Sequence, residues 1–122
     1  MGYVRVKGFI GSPTKSIVRE THFLADTGAF YTTISPGLAK ELDIKAVAKT
    51  RLTLADKRSV EVDTSLAYIK ILDREAVLQV AILDVPEPLL GGTALEGLGV
   101  KVDPNTGRVE HSRPYGVALL KV

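Results

Sequence analysis

The segment Phe23-Leu24-Ala25-Asp26-Thr27-Gly28-Ala29 occurs once in a chain of 122 residues and describes half of a reactive site. An apolar strand ending in Asp-Thr-Gly delivers one carboxylate to a tight loop. The chemistry served by such a loop takes two carboxylates: a base that makes a water nucleophilic and an acid that activates the group it attacks. Two carboxylates about 3 Å apart cannot both ionise, so they share a proton and present one of each kind at once. A chain with one such loop therefore points to a site completed by a second copy of itself. Other reactive groupings are poorer. There is no cysteine, so no thiolate is available. His22 lies in the strand before the loop, His111 lies near a turn, and two histidines with scattered acids fall short of the three or four convergent ligands of a zinc site. Gly91-Gly92-Thr93 resembles the start of a phosphate cradle but lacks the lysine of a P-loop. Asp63-Thr64-Ser65 lacks the glycine and reads as mid-strand, so it is no second copy. No metal and no cofactor are expected.

The elements that must position Asp26 are mostly strands, because alternation of apolar and polar residues dominates the chain. Val4 and Val6 alternate with Tyr3, Arg5 and Lys7, and Gly11-Ser12-Pro13-Thr14 turns into a second strand from about Ser16 to Ala25. Beyond the loop, Phe30-Tyr31-Thr32-Thr33-Ile34 is aromatic and β-branched and predicts a strand. Ser35-Pro36 has the form of an N-cap followed by proline at the first helical position, opening a short helix through Leu42 that Gly37 weakens. Leu52 and Leu54, then Val60 and Val62, flank Ala55-Asp56-Lys57-Arg58-Ser59 and predict a hairpin with a charged tip. Ile69, Ile71, Val77, Val80 and Ile82 predict two more strands around the turn Asp73-Arg74-Glu75. Thr93 and Glu96 have capping-box spacing, which predicts a short helix starting after Thr93 and stopping at Gly97 or Gly99. A strand, the turn Asp103 to Gly107, another strand, and a last strand from Tyr115 to Val122 complete the reading. The fold class is mainly β: a small, closed or nearly closed barrel-like domain with one or two short helices.

In this arrangement the chain resembles the retropepsin-like aspartic peptidases, the single-domain relatives of the two-domain pepsins. The resemblance rests on the apolar strand ending in Asp26-Thr27-Gly28-Ala29, a flap-like hairpin around Asp56-Lys57, and Leu89-Leu90-Gly91 followed by a short helix, spanning roughly residues 16 to 103. It implies a two-fold homodimer, with one Asp26 from each subunit forming the catalytic pair and a peptide or protein as substrate. Thr27 would hydrogen-bond across the dimer axis, Gly28 would permit the sharp turn, and Ala29 would keep the wall beside the carboxylates small. Leu89 and Leu90 would pack beneath the loop, with Gly91 letting the chain cross closely. Ala55, Asp56, Lys57 and Arg58 would form the flap over the substrate, although retroviral flap tips are rich in glycine and this one has none. Phe30 and Gly92 stand where retroviral members commonly carry an acid and an arginine; both partners are missing together, so no buried charge is orphaned. These departures point to a cellular rather than a viral member.

Composition bounds the setting. With 45% hydrophobic and 25% charged residues, residues 1–122 are expected to form one soluble domain, long enough for one core and too short for two. The net charge of +2 is spread thinly, and pairs such as Lys57-Arg58 make no nucleic-acid stripe. A basic β-barrel that binds nucleic acid would need an aromatic and basic platform, which is missing. The lack of cysteine fits a reducing cytoplasm, and Met1-Gly2-Tyr3-Val4-Arg5-Val6 has no secretory h-region. No apolar run is long enough to cross a membrane. Gln79 and Asn105 are the only side-chain amides and Met1 the only methionine, a depletion found in heat-adapted proteins. A second functional reading keeps the fold and drops the chemistry: a catalytically silent retropepsin-like dimer that binds peptides or serves assembly.

Overall fold

The structure, a computed structural model, describes residues 4–114; the strand expected over 115–122 lies outside them. Strand β1 (Val4–Gly11) turns Val6, Gly8 and Ile10 inward and Arg5, Lys7 and Phe9 outward, as its alternation requires. It pairs along its whole length with β2 (Val18–Asp26), from Val4 opposite Ala25 to Gly11 opposite Val18. The expected strand from Phe30 shortens to β3 (Thr32–Ile34). Phe30 and Tyr31 instead form a bend in which their rings meet edge to face at 4.9 Å. Helix α1 (Pro36–Glu41) opens as its sequence signals: the Leu38 amide donates to Ser35 Oγ at 3.1 Å, and proline takes the first turn where no amide is needed. Ser35→Ala is expected to cost about 1 kcal/mol in denaturant unfolding, with the slope of the transition unchanged.

Strand β4 (Ala48–Thr53) pairs with β5 (Ser59–Ile71) from Ala48 opposite Thr64 to Thr53 opposite Ser59, giving the expected hairpin. The residues around Val60 and those around Ile69 do not form separate strands. They belong to one 13-residue strand, because Thr64 and Ser65 continue the ladder as buried polar residues, with Ser65 Oγ donating to the Lys45 carbonyl. Strand β6 (Arg74–Ile82) pairs with β5 from Ile71 opposite Arg74 to Asp63 opposite Ile82. The turn is therefore Leu72-Asp73 rather than Asp73-Arg74-Glu75, and Leu72 takes a left-handed φ of 57°. Strand β7 (Leu89–Gly91) leads directly into helix α2 (Gly92–Leu98). The capping box of Thr93 and Glu96 does not form: Gly91 is the N-cap and no side chain caps the helix. Gly99 ends α2 with a left-handed φ of 66°. A short hairpin, β8 (Val100–Val102) with β9 (Val109–His111), follows around the expected turn.

Six strands close into a barrel in the order β1-β2-β7-β3-β6-β5, the ring sealed where Phe9, Ile10 and Gly11 pair with Lys70, Ile69 and Tyr68. β4 extends β5 beyond the barrel. The interior is filled by Val6, Ile10, Phe23, Ile34, Ile69, Ile71, Val80 and Leu90, with Leu42 from the end of α1 and Leu98 from α2 among the buried residues. Closure leaves these strands few free edges, which is how a small β protein avoids pairing with neighbours. Among the described residues no helix is long and apolar enough to cross a membrane.

Arg74, only 4% exposed, is an arginine inside the fold. Its guanidinium donates to the carbonyls of Leu98 at 3.0 Å and Arg113 at 2.8 Å, while Arg113 donates to those of Glu96 at 2.9 Å and Gly97 at 3.2 Å. Two cations thus satisfy the carbonyls that α2 leaves open at its C-terminus. Beside them, His111 Nε2 lies 2.6 Å from Asp73 Oδ1 and joins the β5–β6 turn to the last hairpin. That hydrogen bond is the main reason the Asp73 carboxyl is held below the ordinary carboxylate value, helped by the charges of His111 and Arg74. A depressed carboxyl contributes stability above its unfolded value and loses it as pH falls through the lowered one. His111→Ala is accordingly expected to raise the Asp73 titration midpoint in an NMR titration; an unmoved midpoint would contradict this assignment.

Candidate active site

Asp26 is the last residue of β2, and its position is set from three directions. The ladder places it beside Gly91, because β2 and β7 run parallel with Leu24, Ala25 and Asp26 opposite Leu89, Leu90 and Gly91. The Ala29 amide donates to the Asp26 carbonyl at 3.1 Å, closing residues 26–29 into a tight turn. The Gly28 amide donates to Asp26 Oδ1 at 3.1 Å, which fixes the carboxylate against its own loop. The carboxylate remains exposed, so one oxygen is oriented by the protein and the other is open to reaction.

The loop is stitched to the start of α2. Gly92 donates its amide to the Ala29 carbonyl at 2.7 Å, and Thr93 donates to the Phe30 carbonyl from its amide at 3.3 Å and from its hydroxyl at 2.6 Å. Beneath it, Leu90 is fully buried in the core and Leu89 is half-buried. Gly91 passes so close to the preceding bend that a Cβ there would lie 2.5 Å from the Tyr31 carbonyl carbon and 2.6 Å from its oxygen. The Gly91 amide donates to the buried hydroxyl of Thr32 at 3.0 Å. Only glycine fits this crossing. A Cβ on Gly28, by contrast, would sit 3.4 Å from Asp26 Oδ1 in ordinary contact, so within one chain this glycine serves through its amide.

The residues singled out in sequence fall into two groups. Asp26, Thr27, Gly28 and Ala29 form one locus with Leu89, Leu90 and Gly91. The second group, Ala55, Asp56, Lys57 and Arg58, occupies the exposed tip of the β4–β5 hairpin, and among the described residues no hydrogen bond or ion pair joins it to the Asp26 loop. The tip is internally organised: Leu54 donates to the Arg58 carbonyl at 2.8 Å, and Asp56 accepts from the Arg58 amide at 3.0 Å and from its Nε at 2.6 Å. Lys57, at a left-handed φ of 69°, is exposed and makes no ion pair among the described residues. His22 is exposed on β2. Among the described residues no three His, Asp or Glu side chains converge as metal ligands would. Sequence reasoning missed Thr32 and misassigned Thr93. The buried Thr32-Thr33 pair between the aromatic bend and Ile34 was the available signal, since hydroxyls in a core need partners.

Comparison with known proteins bears on the family and the fold. A family model described as aspartyl protease matches residues 4–98. Among solved structures, EIAV protease complexed with the inhibitor HBY-793 superimposes with a TM-score of 0.60 at 22% identity, covering 81% of this chain and 92% of that chain. A comparison with curated proteins gives no match.

Proposed function

Because the chain belongs to the aspartyl protease family and has the retropepsin-like fold, we propose that it is a homodimeric aspartic endopeptidase whose two Asp26 carboxylates, one per subunit, hydrolyse peptide bonds. The observation that carries this reading is the exposed Asp26 carboxylate, fixed by the Gly28 amide on a loop anchored to buried β7. Nothing in the chain duplicates it. Thr27 supports the dimer: it is exposed, and its hydroxyl has no hydrogen-bond partner among the described residues, leaving it available to a second subunit.

In the paired site the two carboxylates share one proton. The deprotonated member takes a proton from the water as its oxygen attacks the scissile carbonyl carbon, and the protonated member donates to the carbonyl oxygen. A tetrahedral diol results. Its collapse breaks the C–N bond, with a proton passing to the leaving amine and the shared-proton state restored. The β4–β5 hairpin, with Ala55, Asp56, Lys57 and Arg58 at its tip, closes over the bound peptide as a flap and excludes water.

The test is cleavage of a peptide library by the purified protein across acidic to neutral pH, beside Asp26→Asn. Sequence-selective cleavage that vanishes in the variant is expected. Cleavage surviving at wild-type rate in Asp26→Asn would refute the assignment. Peptide binding by a stable dimer with no cleavage at any pH would instead establish the silent binding module, which the charged, glycine-free hairpin tip favours.

A further inference from the structure

A cavity of about 320 Å³ opens directly beside the reactive loop, between residues 27–30 on one side and Gly92, Thr93 and Glu96 of α2 on the other. Its walls differ in chemistry. Gly92 leaves room because it has no side chain; a Cβ there would sit 3.3 Å from the Thr27 carbonyl and 3.5 Å from that of Ala29. Phe30 supplies an aromatic wall, 66% exposed, and among the described residues its one ring contact is with the edge of Tyr31. Glu96 lies one helical turn beyond Gly92 and Thr93, on the same face. Among the described residues no hydrogen bond or ion pair reaches its carboxylate, and Arg113 spends its guanidinium on the Glu96 backbone carbonyl and its neighbour. The Thr93 hydroxyl is already committed to Phe30. Among the described residues the one charge lining the space is that of Glu96, negative and unpaired.

We propose that this cavity is a substrate subsite selective for a basic side chain, with Glu96 as the residue that selects it. The aliphatic stem of a lysine or arginine lies against the Phe30 ring, whose face also attracts the cation, while the charged end donates to the Glu96 carboxylate. Hydrogen bonds tie Gly92 and Thr93 to the Ala29 and Phe30 carbonyls, so the subsite is mounted on the loop that carries Asp26. A side chain seated there fixes the register of the peptide relative to the reacting carbonyl. This proposal rests on the peptidase reading and names the substrate class of that site.

The test uses peptide pairs identical except for lysine or norleucine at each position around the scissile bond. Two quantities are measured: the ratio of kcat/KM values for wild type and Glu96→Gln, and the ratio of Kd values for the Asp26→Asn protein, which binds without cutting. Both are ratios on one protein, so a general loss of activity cancels. Wild type is expected to favour lysine at one position by roughly tenfold, Glu96→Gln to bring the ratio close to one, and Glu96→Lys to favour glutamate there. A preference untouched by Glu96→Gln, or no preference at any position, overturns the subsite. A variant that weakens dimerisation while leaving peptide preference intact also overturns it, since the carboxylate then belongs to a subunit contact. The two readings fail separately: selective binding of lysine peptides without cleavage refutes the peptidase and keeps the subsite, whereas cleavage without preference does the reverse.

Discussion

A tenfold excess of Asp26→Asn chain, equilibrated with a fixed amount of wild-type chain, is expected to reduce its peptidase activity to about a tenth, because random exchange leaves few wild-type pairs. At equal amounts the activity falls to about half. An enzyme with a complete site in each chain would show no loss at either ratio, so the titration separates a shared site from a private one without any structural measurement. The substitution suits the purpose. Asparagine keeps an Oδ1 to accept the Gly28 amide that Asp26 accepts at 3.1 Å, so the loop retains its shape. It cannot take up the proton of an attacking water, and general acid–base catalysis of this kind is worth roughly 10²–10⁴-fold. A mixed dimer retains one carboxylate without the proton-sharing partner and is expected to contribute almost nothing. The activity of Asp26→Asn alone should fall by at least about that factor, with its unfolding midpoint close to wild type.

Gly91→Ala is expected to have the largest structural effect of any single methyl group near the site. The added carbon would lie 2.5 Å from the Tyr31 carbonyl carbon, 2.6 Å from its oxygen and 2.8 Å from the Thr32 nitrogen. All three atoms are backbone, so no side chain can rotate away. The strand cannot retreat either, because β7 is held by β2 on one side, by the Thr33–Leu89 pairing on the other, and by the Gly91 amide bond to Thr32. Overpacking at such a point costs about 3 kcal/mol, a large fraction of the 5–15 kcal/mol typical of a whole domain. Urea unfolding measures it directly. Activity should fall as well, since any displacement of Gly91 moves the residue paired with it, Asp26. A variant as stable as wild type would show that the crossing has slack the geometry denies.

The parts of this fold that were readable in sequence are those whose signals are local. Alternation in β1 follows from one face meeting the core, and Ser35-Pro36 announces α1 because both residues act within one turn of the helix. The Asp26-Thr27-Gly28 loop is legible for the same reason: its amide-to-carboxylate bond spans two residues. The errors arose where distant partners decide. Thr93 and Glu96 have capping spacing, yet the Thr93 hydroxyl bonds the Phe30 carbonyl 63 residues away, and the helix starts two residues earlier. Thr64 and Ser65 interrupt the apolar pattern of β5, while Lys45, 20 residues back, satisfies Ser65 and lets the strand run on. Arg74 reads as a turn residue by charge alone; its role comes from α2 and Arg113, up to 39 residues downstream. The Asp26 locus itself was recognisable, but the Thr32 hydroxyl that locks Gly91 beneath it, 59 residues apart, was not.

The two arginines at the C-terminus of α2 have a consequence for the proton chemistry proposed at the other end of the same helix. A guanidinium stays charged across the whole range in which carboxylates and imidazoles titrate. The Asp73 carboxylate that His111 holds gives up its charge as acid is added, but the links from Arg74 and Arg113 to the last carbonyls of α2 keep their charge throughout. In the proposed peptidase, the mounting of the Asp26 loop is thus insulated from the acidity that its chemistry would respond to, so that pH could tune the reaction without loosening its support.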